Sequence, residues 1–262
     1  MNLTISFEGP LFRVRPLWAF VAGFLASGSP FSLSRLLLLA FLVEGVMPGW
    51  WRSLEALFRG NFPSLSAAGE RPLSIPYAVP GSLAWKAMKG LGRIIAWWEE
   101  FFWPERGKIA GSFLLFTLLG LSLAFFQNPK LWPVLSIASV LGVAGVLSIR
   151  RDRDPAPWKA FYDITIPWLA GFIADHPVGF LPFLCAVSFG IMAWGLESKK
   201  ASWGEWLVFG PLGFLFLALW FKGHFLIAGG LACLGLGLLG EKGKSRYSFV
   251  LLVLFLVAWA LR

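Results

Sequence analysis

Apolar residues fall in nine blocks along the chain: Leu17 to Leu33, Leu36 to Trp51, Ile109 to Gln127, Leu131 to Ile149, Trp158 to Ala174, Val178 to Leu196, Trp203 to Phe221, Phe225 to Gly240 and Tyr247 to Leu261. The blocks are continuously apolar, with none of the outward and inward alternation of a barrel strand, so they predict helices. A bilayer-crossing helix needs about 20 apolar residues. Several blocks are shorter, and tryptophans at their ends are expected to complete the crossing at headgroup level. The expected fold class is all-α: a polytopic membrane protein with nine transmembrane helices in a single membrane domain, 1–262.

One connection is long. Residues 61–107 divide into a proline-rich loop, with Pro63, Pro72, Pro76 and Pro80 disfavouring helix, and a segment from 82 to 103 where helical periodicity returns. Met88, Leu91, Ile95, Trp98 and Phe102 recur at three- and four-residue spacing on one face, and Lys86, Lys89, Arg93 and Glu100 take the other. Ser82 is placed to cap this helix and Pro104 to end it. Basic on one side and rich in Trp, it is expected either to lie in the membrane interface or to cap a cavity between the spans.

Composition excludes a soluble domain. Hydrophobic residues make up 57% and charged residues 14%, with 26 Phe, 15 Trp and a mean hydropathy of +0.70, where soluble domains carry about 25% charged residues. The net charge of +9 sits in short connections and not on the face of a domain, so it reports topology and not a nucleic-acid partner. With nine spans and the N-terminus inside, only Arg35, Lys130, Lys222 and Arg262 of the 23 Lys and Arg residues fall outside. That bias orients the chain with its N-terminus in the cytoplasm, across the cell's cytoplasmic (inner) membrane. The outer connections SGSPFSLSR, NPK, DHPV and KGH are too short for an external domain. The opening residues carry Glu8 and no short apolar core with a small-residue cleavage site, so the first helix is expected to act as the insertion signal.

Ionisable residues within spans are the pointers to chemistry. Glu44 falls in the second span and Asp163 one turn into the fifth. A carboxylate at the depth of Glu44 must pair, be protonated or line a wet cavity, so it forms an interhelical hydrogen bond or part of a pocket. Asp163 can pair with Lys159 one turn away. His176 and His224 both fall in outer loops, where they could meet around a metal or tetrapyrrole, but no further ligand type lies near and no metal site is expected. Cys185 and Cys233 each lie within a span, without CxxC spacing, and predict neither disulfide nor zinc. The run Arg150 to Asp154 reads as a solvated stop signal, and Gly229, Gly235 and Gly237 read as close helix packing.

The stretch Glu44 to Gly60, EGVMPGWWRSLEALFRG, is where an apolar run reaches the membrane surface and becomes charged. Nine helices with the N-terminus inside, Arg15-Pro16 opening the first span, the long inner excursion after the second span and a short charged loop after the sixth resemble the UbiA superfamily of intramembrane prenyltransferases. The resemblance implies two Asp-rich motifs, at the inner ends of the second and sixth spans, that hold Mg²⁺ beside an isoprenoid diphosphate. At those places this chain reads GWWRSLEALFRG and WGLESKKASWGE, and its four aspartates, Asp152, Asp154, Asp163 and Asp175, form no Asp-x-x-x-Asp pair.

A diphosphate must have its charge compensated before its allylic carbon ionises, so loss of those carboxylates removes the catalytic device. The expectation is a non-catalytic relative, an accessory or structural subunit of a larger membrane complex. Membrane lipids and other membrane-protein subunits are its expected partners. No catalytic cofactor is expected, and a lipid, quinone, carotenoid or tetrapyrrole pigment could be held between the helices. Candidate cavity or phosphate-proximal residues are Glu44, Arg52, Glu55, Arg59, Asp163, Glu197 and Lys199; those of the interfacial helix are Lys86, Lys89, Arg93 and Trp98. The alternative is a divergent prenyl or lipid transferase using Glu44, Glu55 and Glu197 with the neighbouring bases.

The charge bias has a direct readout. Reporter domains fused after Arg262 should be active as a periplasmic phosphatase and dark as a cytoplasmic fluorescent protein, and the reverse pattern would refute an odd number of spans with an inside N-terminus.

Overall fold

The structure, a computed structural model, describes residues 16–28, 30, 32–59, 63–69, 71, 73, 79–127, 129–151, 153–173, 177, 179–197, 201–240 and 245–262. Among the described residues the regular elements are all helical. They are α1 (Pro16–Ala26), α2 (Leu33–Phe58), α3 (83–127), α4 (Leu131–Arg150), α5 (156–173), α6 (Phe180–Glu197), α7 (Ala201–Phe221), α8 (Phe225–Gly240) and α9 (Ser245–Leu261), plus a 3₁₀ turn at Leu65–Ala67. Each of the nine described helices overlies one apolar block. Five of them, α2, α3, α4, α6 and α7, are long and apolar enough to cross a membrane, while α1 and the apolar parts of α8 and α9 are shorter. This set of apolar helices suggests a multi-pass membrane protein.

Three helices each contain one widened π turn: Leu42–Val46 in α2, Trp98–Phe102 in α3 and Phe161–Thr165 in α5. Each turn stops two residues short of a proline, Pro48, Pro104 and Pro167. Proline has no N–H to give the carbonyl four residues back, and its ring strikes that carbonyl. The residue before each proline donates five residues back instead: Met47 to Leu42, Trp103 to Trp98 and Ile166 to Phe161. One wide turn thus absorbs the proline and the helix continues.

Pro104 therefore does not end the amphipathic segment, contrary to the sequence expectation. That segment and the following span are one helix. At about 1.5 Å per residue α3 is roughly 65 Å long, more than the ~40–45 Å of a bilayer with its headgroups. Its N-terminal part, residues 83–97, is an arm in excess of one crossing. The carbonyls opposite the three prolines, four residues back, belong to Glu44, Glu100 and Asp163, so an acidic residue sits in every π turn.

The middle of the bundle is built from α1, α5 and α6. All residues from Ile166 to Ile173 are buried, as are Phe20 and Phe24 of α1 and Phe189 and Met192 of α6. Trp168 stacks on Phe172 with ring centres 5.4 Å apart. Between helices in lipid, water supplies no hydrophobic drive, and attraction comes from close packing and hydrogen bonds. Small residues allow it here. A methyl group on Gly23 would strike the Trp168 carbonyl, and one on Gly171 would stand 2.7 Å from the Phe24 nitrogen. α1 and α5 thus cross with backbone against backbone. In α4, Gly142 and Gly145 make room for the rings of Trp50 and Trp51 of α2.

Gly23→Val should cost about 1–3 kcal/mol through overpacking, seen as a lowered melting temperature in detergent. Gly210→Ala, with nothing within 4 Å of the added methyl, should be neutral or stabilising by up to about 1 kcal/mol. Equal melting of the two variants would remove the backbone crossing from the account of stability.

Candidate functional site

The acidic residues of the spans are fixed by the proline-driven turns that hold them. Glu44 lies half-buried in the π turn of α2, and its Oε1 accepts the Leu17 N–H at 2.9 Å. The first N–H groups of a helix have no intrahelical acceptor and carry its positive end, so a carboxylate there stabilises α1. Of the two roles weighed for Glu44, the interhelical hydrogen bond is thus formed.

Asp163, half-buried in the π turn of α5, is the centre of a group of charges. Lys159, Glu197, Glu44 and Arg52 all act on it electrostatically. They come from α2, α5 and the last residue of α6, positions up to 153 residues apart, 44 to 197, along the chain. The expected Lys159–Asp163 pair does not close to ion-pair distance, and the Asp163 carboxylate has no hydrogen-bond partner among the described residues. Arg52, Lys159 and Glu197 are exposed and Asp163 and Glu44 half-buried, so this charged mouth reaches the protein surface.

Two other candidates stand apart from this group. Glu55 and Arg59 pair with each other across one helical turn at 2.6 Å, and the Arg59 side chain is mostly exposed; such pairs contribute only a few tenths of a kcal/mol, about 0.3–0.5. The carbonyls of Leu57 and Arg59 accept from Arg106 at 2.8 and 2.6 Å, and that of Ala56 accepts from the same guanidinium. Arg106 thereby closes the negative end of α2 and ties it to α3. Lys199 lies outside the described residues, as does His176; His224 stands at the turn before α8. Among the described residues, no three His, Cys, Asp or Glu side chains are placed to hold one metal ion.

Between α2, α3 and α4, with Met47 and Tyr162 in its lining, lies a groove with a cavity of about 60 Å³. One water needs only ~10–15 Å³ measured this way. Leu42, Val46 and Trp50 form one wall, Phe116 and Gly120 the second, and Leu135 and Ala138 the third. It opens sideways between α3 and α4, where Leu121 and Ser139 are exposed. The polar groups that reach it are already bonded within the protein. Trp50 Nε1 donates to Thr117 Oγ1 at 3.0 Å, Thr117 Oγ1 to the Phe113 carbonyl at 2.8 Å, Ser139 Oγ to the Leu135 carbonyl at 2.9 Å and Tyr162 OH to the Met47 carbonyl at 2.8 Å. The surface left over is apolar, which suits a hydrocarbon chain and not a polar group.

Sequence reasoning missed Tyr162, Trp50 and Thr117, which look like ordinary span residues until the helices are packed. It also missed a legible signal: an acid four residues before a proline occurs three times, at Glu44, Glu100 and Asp163, and each occurrence marks a π turn. No family model, curated protein or solved structure matches the chain.

Glu44→Gln, which keeps an oxygen for the Leu17 N–H, should melt close to wild type, whereas Glu44→Leu should lose about 1–3 kcal/mol by leaving that donor bare. Tyr162→Phe should lose about 1 kcal/mol. An unchanged melting temperature for Glu44→Leu would show that the carboxylate does not cap α1.

Proposed function

We propose that this chain is a non-catalytic, UbiA-like membrane protein, with nine spans and its N-terminus inside, that holds the hydrocarbon chain of a lipid, quinone or isoprenoid pigment. It serves as an accessory or structural subunit of a larger assembly in the cytoplasmic membrane. The groove between α2, α3 and α4 carries this reading, because its polar groups are satisfied internally and its lining reaches the surface at exposed Leu121 and Ser139. A groove so lined orients a chain by shape alone.

The charges at the mouth support the UbiA-like layout and the absence of its chemistry together. Arg52 of the second helix and Glu197 of the sixth both act on Asp163, as the inner ends of those spans would in that family. What they bring is a mixture of acid and base, where a diphosphate site built on Mg²⁺ needs clustered carboxylates. That same convergence favours the second reading, a divergent prenyl or lipid transferase working from Glu44 and Glu197. Glu55 supports it less, being engaged by Arg59.

Two measurements decide between them. Protein purified in mild detergent and extracted with organic solvent should yield one apolar lipid in near-stoichiometric amount by mass spectrometry. Gly120→Phe should abolish its retention, since a side chain at Gly120 meets only Val46, at 3.5 Å, and points its bulk at the groove. Equal lipid content in both proteins would sink the proposal. Product from labelled prenyl diphosphates and Mg²⁺, lost in Glu197→Gln, would establish the transferase instead.

A further inference from the structure

The arm, residues 83–97 of α3, is covered on one flank and bare on the other. Gly92 is buried under the backbone of Arg71, Ala96 is buried one turn on, Trp97 Nε1 donates to the Pro63 carbonyl at 2.8 Å, and Arg71 pairs with Glu99 at 2.5 Å. Residues 63–69 and 71 thus strap one side of the helix. On the opposite side Leu83, Leu91, Ile94 and Trp98 form a stripe at helical spacing, exposed by 87%, 48%, 48% and 45%. Such a stripe is stable only against another apolar surface.

Three features identify that surface. The arm runs without a break into the span whose outward residues Leu114, Leu118 and Phe125 are themselves exposed. Trp97, Trp98, Phe101, Phe102 and Trp103 stand at the junction, where aromatic rings mark headgroup level. From Leu83 to Trp98 the arm contains Lys86, Lys89 and Arg93 and no acid. The junction is also the π turn Trp98–Phe102 followed by Pro104, the kind of interruption at which a helix bends sharply.

We propose that the arm is an anionic-lipid docking surface: bending at the Trp98–Phe102 turn, it lays Leu83, Leu91, Ile94 and Trp98 into the bilayer surface beside negatively charged phospholipid headgroups. The strap then faces the aqueous side. Lys86, Lys89 and Arg93 hold the headgroups, each basic residue near an anionic surface adding to the attraction. This inference does not depend on what fills the groove.

The test uses full-length protein with Cys185→Ala, Cys233→Ser and Leu91→Cys, spin-labelled at position 91 and placed in nanodiscs. Collision of the label with oxygen and with a water-soluble nickel chelate is compared in phosphatidylcholine alone and with phosphatidylglycerol added. Phosphatidylglycerol should shield the label from nickel. The triple change Lys86→Gln, Lys89→Gln, Arg93→Gln should abolish this, with a shift in the docked-to-free ratio on the order of a hundredfold. A label equally open to nickel in both membranes, as for an arm reserved for a protein partner, overturns the proposal. Equal shielding in both membranes overturns the anionic preference. A label at Leu118→Cys, on the lipid-facing span, should be shielded throughout and shows that each protein is inserted.

Discussion

Helices in lipid have no water to drive them together, so this bundle depends on a small number of polar ties and on glycines that let backbones touch. The ties share members. Glu44 of α2 holds the start of α1, Tyr162 of α5 holds the Met47 carbonyl of α2, Thr165 of α5 holds the Ala186 carbonyl of α6 at 2.9 Å, Trp50 of α2 holds Thr117 of α3, and Arg106 of α3 holds the end of α2. Each tie involves α2 or α5, and one joins them to each other. The Gly23 and Gly171 crossing adds α1 to the same centre. The groove and the charges around Asp163 are both built on α2 and α5, so both owe their shape to this framework.

The π turns explain why the ties fall where they do. A proline inside a helix ordinarily costs about 3 kcal/mol or more, and here it is accommodated by a turn of five residues that changes the direction in which the following side chains point. In α2 and α5 the two turns hold Glu44 and Asp163, both half-buried and near enough to act on each other. In α3 the turn falls between the basic arm and the apolar part of the helix. One local device thus occurs both beside an interior charge group and at the base of the arm.

The relation between groove and mouth bears on function. A prenyl diphosphate site must join a chain-sized cavity to a charged end. Here Tyr162, the neighbour of Asp163 in the chain, lines the groove, its hydroxyl bonded to the Met47 carbonyl and its ring packed by Trp50 and Trp51 at 6.2 and 4.9 Å.

Much of this architecture is legible from the order of residues alone. Long unbroken apolar blocks can only be satisfied as helices in lipid, because each helix bonds its own backbone, and so the helical class and the places of the helices followed from the pattern. The amphipathic segment and its Ser82 cap were equally local; the Ser82 side chain accepts the Trp85 N–H as expected. Pro104 misled because a lone proline usually ends a helix, while the wide turn that rescues it needs a stable helix on both sides. The pairing of Glu44 with α1, the isolation of Glu55 beside Arg59 and the gathering of Lys159, Glu197 and Arg52 around Asp163 were decided only in three dimensions. Those contacts join residues far apart in sequence, and no periodicity encodes which face of one apolar helix will meet which face of another.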